Sequence, residues 1–306
     1  MFSAALCFPE RESELKKEWA TEVFQSGRLF IGPRPSEKLI WAQDEWPDFQ
    51  LIPFTSVSEG ARLLKALSLR WVLFSQEHHR RASLIQSQLK SIENPALQFL
   101  EKTPVKKYGA WTLLDEKLIL ACLNPLAKVP LGEIQFAENK TTPPNRAYLK
   151  VWELFTLHID PPERGSRVLD MGSSPGGWTW VLQGLGAHVT SVDKAPLDLK
   201  IQKLPRVQSV KKDAFQLLPS DVGPVDWFFS DLICTPEKLH ELVCQWRDSG
   251  LVKNFVCTIK FKGLSDFQML KKFKELEGSQ LIHLVQNKNE VTWILKGSSK
   301  EKTSMG

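Results

Sequence analysis

From Arg167 onward, short apolar runs alternate with segments of mixed polar and apolar residues. Such alternation is typical of β-strands separated by amphipathic helices, and strands arranged in this way lie parallel in one sheet. Leu281–Gln286 and Glu290–Leu295 are separated by too short a loop to hold a helix, so they should pair as a hairpin and leave the last strand antiparallel. The pattern therefore predicts a Rossmann-like, doubly wound α/β sheet with parallel strands near residues 167–171, 188–193, 207–211, 226–231 and 254–260.

The first part of the chain has shorter elements, which predict a separate and smaller α/β domain. Ala110–Leu114 and Leu118–Cys122 flank a polar turn and indicate a hairpin. Helices are predicted over Ser58–Ser68 and over His78–Ile92. The remaining strand candidates are Arg28–Ile31, Leu39–Ala42, Leu51–Phe54 and Trp71–Phe74.

Domain boundaries follow from a break in these patterns at Thr141-Thr142-Pro143-Pro144, because proline interrupts regular structure. We predict an accessory domain over residues 1–132, a linker over 133–145 and a second domain over 146–297. The last segment, 298–306, is polar and is predicted to be a disordered tail.

Composition narrows the class of protein. The chain has 306 residues, of which 42% are hydrophobic and 25% charged, as in an ordinary globular protein of two domains. No apolar run approaches the roughly 20 residues of a membrane span, and the amino-terminal residues lack the basic region of a signal peptide. The five cysteines show no Cys-x-x-Cys spacing, which favours a reduced, cytoplasmic setting over a disulfide framework or a zinc site.

The formal net charge is +5, too small an excess to make either half of the chain a strong attractant for nucleic acid. Residues 51–110 nevertheless hold nine Lys and Arg against four Asp and Glu, among them Arg80 and Arg81. Such a stretch is able to contact phosphates, and a solvated helix face explains it equally well.

The most informative chemistry lies in residues 168–180, Val-Leu-Asp-Met-Gly-Ser-Ser-Pro-Gly-Gly-Trp-Thr-Trp. An apolar strand passes through a glycine-rich turn into a helix, an arrangement that presents a nucleotide-like cofactor at the carboxyl edge of an α/β sheet. The spacing is neither that of a dinucleotide site nor that of a P-loop. Close packing of a capped helix is the plainer interpretation of Gly176 and Gly177. About twenty residues later, Asp193 ends the next strand, where a carboxylate can accept hydrogen bonds from both ribose hydroxyls.

The Ser-Pro-Gly-Gly-Trp form of this loop resembles the S-adenosylmethionine loop of the FtsJ-type ribose 2′-O-methyltransferases. The resemblance implies a class I methyltransferase fold and S-adenosylmethionine as the cofactor. It also implies that Asp213 receives the exocyclic amine of adenine, that Asp231 stands near the activated methyl group and that Trp178 forms a wall of the pocket. The residues expected to hold the cofactor are Gly172, Ser174, Gly176, Trp178, Asp193, Asp213 and Asp231.

Four separated residues resemble the catalytic Lys-Asp-Lys-Glu tetrad of that family, namely Lys150, Asp231, Lys260 and Glu290. A free lysine has a pKa of about 10.4, so a lysine base needs burial or a neighbouring cation to disfavour its charged form. The hypothesis is that Lys260 is the base or orients the hydroxyl, with Lys150 as the neighbouring cation and the two acids orienting the amines. Lys262 competes with Lys260 for this role, but the turn at Gly263 places Lys262 beyond the strand end.

The resemblance extends over about residues 140–297 and implies methylation of a ribose hydroxyl in RNA. The Leu-Ile-Cys-Thr-Pro-Glu segment after Asp231 is similar to that of members that modify a cytidine of bacterial large-subunit ribosomal RNA. Those members carry an RNA-engaging THUMP domain upstream, of which residues 1–132 are interpreted as a reduced analogue. Transfer RNA, an mRNA cap and a small molecule stay open as acceptors, as does a non-catalytic role in RNA binding or ribosome assembly. No metal is expected to take part, and the oligomeric state stays open.

Overall fold

The computed structural model describes residues 1–19, 21–103 and 107–297, and it divides the chain into two compact units, Met1–Ala137 and Glu138–Gly306. The predicted tail, 298–306, lies outside the described residues. The division falls within the predicted linker, but residues 133–137 belong to the first unit. There the backbone N–H of Ala137 donates to the carbonyl of Leu97 at 3.0 Å, and the side chain of Asn94 donates to the carbonyl of Glu133 at 2.6 Å.

The first unit contains two four-stranded sheets. The strands of one are β1 (Phe2–Cys7), β2 (Phe24–Ser26), β3 (Leu29–Pro33) and β4 (Ala42–Pro47), with helix α1 (Glu12–Trp19) after β1. They pair antiparallel in the order β2-β3-β1-β4. The second sheet consists of β5 (Gln50–Pro53), β6 (Trp71–Leu73), β7 (Gly109–Asp115) and β8 (Leu118–Cys122), with helices α2 (Val57–Leu67) and α3 (His79–Gln86). Its order is β5-β8-β7-β6, and only β6 and β7 pair in parallel.

The buried core of the first unit is shared between its two sheets. Trp46 of β4 belongs to the same apolar cluster as Ala110 of β7 and Leu120 of β8. A second cluster joins Trp71 and Trp111 to the apolar faces of α2 and α3. The predicted hairpin of β7 and β8 is confirmed, and so is the helix α2.

The predicted strand Leu39–Ala42 is wrong, because its backbone is bound by a side chain. The N–H groups of Ile40 and Trp41 donate to the carboxylate of Glu18 at 2.8 and 3.2 Å. Leu39 and Trp41 are buried in this loop, which explains the apolar pattern. The strand itself begins only at Ala42.

The helix predicted over His78–Ile92 is also too long, since α3 ends at Gln86. Beyond it, the carbonyl of Lys90 accepts the N–H of Trp71 at 3.0 Å, and Ser91 forms a parallel bridge with Trp71. Residues 90 and 91 therefore pair with β6 and do not continue the helix.

The second unit is built on a seven-stranded sheet. Its strands are β9 (Arg167–Met171), β10 (His188–Asp193), β11 (Val207–Lys211), β12 (Val225–Ser230), β13 (Val252–Lys260), β14 (Ser279–Ile282) and β15 (Glu290–Lys296). Its helices are α4 (Tyr148–Glu153), α5 (Gly177–Gly184), α6 (Leu199–Gln202), α7 (Pro219–Val222), α8 (Pro236–Asp248) and α9 (Phe267–Lys274). One π-helical turn, Leu154–His158, continues α4.

The strand order of this sheet, β11-β10-β9-β12-β13-β15-β14, confirms the predicted fold class. β9 to β13 pair in parallel, and β15 runs antiparallel between β13 and β14. The order reverses between β9 and β12, and open α/β sheets bind ligands at such a reversal, beyond the carboxyl ends of the strands. A helix with the length and apolarity of a membrane span does not occur among the described residues.

Candidate active site

The four predicted tetrad residues, Lys150, Asp231, Lys260 and Glu290, form one connected network. Lys150 Nζ lies 3.2 Å from Oδ1 of Asp231 and 2.6 Å from Oε1 of Glu290. Lys260 Nζ lies 2.8 Å from the same Oδ1 and donates to the Asp231 carbonyl at 2.7 Å. Both amines therefore share one carboxylate oxygen.

Strand pairing explains why these residues meet. In the antiparallel pair of β13 and β15, Lys260 stands directly opposite Glu290. Asp231 follows β12, and its backbone N–H donates to the carbonyl of Met171 at 3.2 Å, one residue beyond the paired strands. Since β13 ends at Lys260, the prediction that Lys262 lies beyond the strand is confirmed.

Opposite charges keep the centre of the network ionised. Burial alone would raise the pKa of Asp231, but Lys150 and Lys260 hold that pKa below its ordinary value. Burial would lower the pKa of Lys150, yet Asp231 and Glu290 outweigh burial and raise that pKa. Lys150 is therefore a fixed cation. The Lys260 side chain is 23% exposed against 14% for Lys150, so Lys260 is the more accessible amine.

Two polar residues that the sequence analysis missed hold the carboxylates of the network. Thr258 donates to Oδ1 of Asp231 at 2.6 Å. It lies two residues before Lys260 on β13, so strand alternation was a signal for it. Asn287 donates to Oε1 of Glu290 at 3.2 Å from a loop, where no periodic pattern marks a residue.

The glycine-rich turn after β9 uses backbone conformations that favour glycine. Gly172 has a φ of 76° and Gly176 a φ of 115°. A Cβ atom on Gly176 would lie 2.8 Å from Ile201. Within the described ranges, no side chain caps the amino end of α5, and the first N–H groups of a helix lack intrahelical partners. Such a helix start suits a carboxylate or another anionic group.

The predicted cofactor ligands Ser174 and Asp193 contact each other. The N–H of Ser174 donates to the Asp193 carboxylate at 3.0 Å, and the Ser174 hydroxyl donates to the Pro196 carbonyl at 2.8 Å. Asp213 follows β11 and forms an ion pair with Lys194 at 2.9 Å. The hydrogen bond from Lys194 holds the pKa of Asp213 below its usual value. Their roles toward a cofactor stay predictions.

Trp178 requires a correction, because its ring lies in the core and not along an open pocket. It is 4% exposed, its indole N–H donates to the Ala147 carbonyl at 3.0 Å, and its ring meets Phe229 edge-on at 6.1 Å. The prediction of a pocket wall overlooked that the buried face of α5 starts at its first turn. Trp178 instead supports the segment that leads into α4.

A cavity of about 990 Å³ lies beside the network, with Asp213, Lys260 and Glu290 in its lining. Ser173 and Ser230, close to the ends of β9 and β12, have buried hydroxyls with no hydrogen-bond partner among the residues that the structure describes. Buried polar groups without partners are costly. The glycine turn, the start of α5 with no capping side chain among the described residues, and the acids at the strand ends fit S-adenosylmethionine.

The model of the FtsJ-like methyltransferase family matches residues 144–304, more than half of the chain. The chain belongs to the FtsJ-like methyltransferase family. The family predicted from the glycine turn and the tetrad is thereby confirmed, with S-adenosylmethionine as its cofactor.

Two curated relatives of this FtsJ-like chain carry the name Ribosomal RNA large subunit methyltransferase M. The protein from Methylococcus capsulatus is 29% identical over 187 residues, which cover 60% of this chain and 48% of the relative. The protein from Xanthomonas oryzae pv. oryzae is 35% identical over 123 residues, which cover 38% of this chain and 35% of the relative. The chain therefore spans about half or less of the length of these relatives.

Solved structures with similar coordinates include methyltransferases and RNA-processing proteins. A fibrillarin pre-rRNA processing protein from Methanococcus jannaschii has a TM-score of 0.39 at 19% identity, covering 48% of this chain and 75% of that chain. The magnesium protoporphyrin IX methyltransferase from Synechocystis, solved with bound S-adenosylmethionine, has a TM-score of 0.33 at 16% identity, covering 43% and 69%. Similarity at this level carries no functional argument.

Proposed function

We propose that this FtsJ-like protein is an S-adenosylmethionine-dependent RNA ribose 2′-O-methyltransferase that modifies a cytidine of large-subunit ribosomal RNA in the cytoplasm. The observation that carries the proposal is the network of two lysines and two carboxylates beside the cavity at the carboxyl edge of the sheet. The shared name of the curated relatives supports ribosomal RNA as the substrate and partner.

In this proposal, the cofactor is held at the edge of β9 to β12. When bound, S-adenosylmethionine supplies a methyl group carried on a positively charged sulfur atom. Asp193 accepts hydrogen bonds from the ribose hydroxyls, and Asp213 accepts one from the adenine amine in competition with Lys194. Asp231 would contribute to holding the cofactor from the end of β12. The remaining contacts come from the turn residues Gly172, Ser174 and Gly176.

Lys260 is the residue proposed to act on the hydroxyl of the acceptor ribose. Its Nζ is held by the carboxylate and carbonyl of Asp231 and lines the cavity, where it orients the hydroxyl and takes its proton. Lys150 keeps its charge between Asp231 and Glu290 and is the fixed cation beside Lys260 in this arrangement.

The first unit is proposed to engage RNA. Arg80 on α3 is exposed and available to a phosphate, whereas Arg81 lies 5.1 Å from the Phe54 ring and donates to the Thr55 carbonyl at 3.2 Å. Arg81 therefore stabilises the packing around Phe54. In this proposal, the other basic residues of the stretch 51–110 contact the phosphates of the RNA.

The deciding experiment is a methyl-transfer assay with radiolabelled cofactor and separate pools of ribosomal, transfer and capped RNA. Resistance of the labelled dinucleotide to alkaline hydrolysis locates the methyl group on the ribose. We expect label in large-subunit RNA at an alkali-resistant position. Label in transfer or capped RNA would replace the proposed acceptor. Cofactor binding without transfer to naked RNA or pre-ribosomal particles would favour a non-catalytic RNA-binding role.

Lys260→Ala tests the proposed base within the same assay. General bases contribute about 10²- to 10⁴-fold to a rate, so we expect a loss of that size in kcat with little change in cofactor affinity. Lys253→Ala is the matched control, because Lys253 pairs with Asp226 at 2.6 Å near the amino end of the same strand. A Lys260→Ala enzyme as fast as Lys253→Ala would contradict the role.

A further inference from the structure

The loop between β14 and β15, residues 283–289, is held by a buried carboxyl group outside the tetrad, that of Glu153. Oε1 of Glu153 accepts the backbone N–H of Val285 at 2.8 Å, and Oε2 accepts that of Gln286 at 3.0 Å. Glu153 is 2% exposed, and burial raises the pKa of its carboxyl to about 8 in spite of these two hydrogen bonds. Both of its oxygens are therefore used on the loop backbone.

Asn287, in the same loop, connects the loop to the tetrad by hydrogen bonds. Its Oδ1 accepts the N–H of Leu284 at 2.7 Å and the hydroxyl of Thr292 at 3.2 Å. These bonds fix the side-chain amide so that Nδ2 donates to Oε1 of Glu290 at 3.2 Å. Asn287 is 8% exposed, and a buried amide with satisfied partners has little freedom to turn.

Glu153 and Lys150 lie three residues apart on α4, a spacing that puts side chains on the same side of a helix. Lys150 binds Oε1 of Glu290 directly at 2.6 Å, and Glu153 binds the loop that leads into Glu290. One helix therefore fixes both members of this ion pair. The alternative is that Glu153 only stabilises the loop, without effect on the chemistry.

We propose that Glu153 is a positioning residue, which holds the Glu290 carboxylate against Lys150 through the loop backbone and Asn287. The proposal rests on the proposed function of the tetrad. When Glu153 is replaced, the loop is free to move, Glu290 leaves its position at Lys150, and the lysine pair loses its alignment. Misplacement of a catalytic group by about 1 Å can lower the reaction rate by about a hundredfold.

A double-mutant cycle on kcat separates positioning from plain stabilisation. Glu153→Gln keeps the side-chain shape but sets an amide NH₂ against one backbone N–H. We expect it to lower kcat by about 10- to 100-fold with cofactor affinity unchanged. In a Glu290→Gln background, the same change should have less than about a twofold effect, since the positioned group is already lost. Effects that simply multiply would overturn the proposal.

The second measurement follows the titration of Lys150 by NMR of its ¹³Cε and needs no RNA. Glu290 helps to raise the pKa of Lys150, so Glu153→Gln should lower that pKa. Asp44→Asn is the matched control, because Asp44 is a buried carboxylate of the first unit that accepts the Ala127 N–H at 2.9 Å. It should leave the Lys150 titration unchanged. A Lys150 titration equal to wild type in Glu153→Gln would contradict the proposal.

Asn287→Ala keeps the proposal testable where Glu153→Gln does not fold, as judged by circular dichroism. It removes the direct bond to Glu290 and should give the same non-additive cycle. If the wild-type protein transfers no methyl group while the Lys150 titration shifts as expected, the proposed function fails and the positioning role stands. If the wild-type protein transfers methyl groups and the titration does not shift, the positioning role fails and the proposed function stands.

Discussion

Oδ1 of Asp231 accepts hydrogen bonds from Lys150, Thr258 and Lys260, at 3.2, 2.6 and 2.8 Å. The two amines are ionisable groups, whereas the threonine hydroxyl is neutral and Thr258 is 1% exposed. Because both lysines are held on one atom, any rotation of this carboxylate displaces both of them. Thr258 therefore fixes the orientation of the carboxylate without changing the charge of the site.

Thr258→Val tests this contact, because valine keeps the shape and removes the hydroxyl. A lost hydrogen bond to a charged group is worth about 1.5–3 kcal/mol, so we expect kcat to fall by roughly one to two orders of magnitude. Thr112→Val is the matched control, since the Thr112 hydroxyl is buried and has no partner among the described residues. Steady-state kinetics and circular dichroism on both variants give the comparison, and equal losses would refute the role of Thr258.

At the scale of elements, strand pairing in the sheet positions the tetrad residues, and the glycine turn shapes the proposed cofactor site. The pairing of β13 with β15 puts Lys260 opposite Glu290, and the neighbouring strands β9 and β12 bring the turn beside Asp231. The turn depends on the left-handed backbone of Gly176 before α5. The shape of the turn therefore requires glycine at position 176.

Gly176→Ala tests the turn. A left-handed conformation costs a non-glycine residue about 1–2 kcal/mol, and the new Cβ would lie 2.8 Å from Ile201, so the turn must shift. We expect cofactor affinity to fall by about tenfold or more, measured by titration calorimetry. Gly184→Ala is the control, because it lies in α5 with nothing within 4 Å of an added Cβ. Equal affinities of the two variants would count against the proposed site.

At the scale of the whole molecule, each compact unit has its own organisation. The two sheets of the first unit share one apolar cluster. The second unit contains every residue proposed to bind the cofactor or to act on the ribose, on its seven-stranded sheet, in the turns that follow the strands, and on α4. Cofactor binding and RNA engagement are therefore proposed to belong to different units.

A protein of residues 138–306 tests this separation. We expect it to bind S-adenosylmethionine with a Kd within about threefold of the full chain, a difference of under 1 kcal/mol. Binding to ribosomal RNA should weaken strongly and lose part of its salt dependence, because fewer lysines and arginines contact phosphates. Calorimetry and filter binding at several salt concentrations measure both. Undiminished RNA affinity would remove the proposed role of the first unit.

The strands β9, β12 and β13 of the second unit were predictable because parallel strands buried on both faces have nearly continuous apolar runs. The first unit has shorter strands and partly buried loops, so apolar runs there do not distinguish a strand from a loop. Leu39–Ala42 is the example, with its backbone bound by the Glu18 carboxylate. The apolar run at Phe2–Cys7 is strand β1.

The glycine turn was predicted from the local pattern, and the family and the four networked residues from their resemblance to FtsJ-type enzymes. Asp231, Lys260 and Glu290 lie at the ends of recognisable strands, whereas Lys150 lies on α4. The contacts that tune the site depend on distant segments. Thr258 on β13 donates a hydrogen bond to Asp231, which follows the neighbouring strand β12. Glu153 accepts a hydrogen bond from a loop more than a hundred residues later in the chain. Trp178 lies in the core because its helix turns that face inward. Such contacts arise only when the chain folds, because sequence spacing carries no information on which distant backbone groups need a partner.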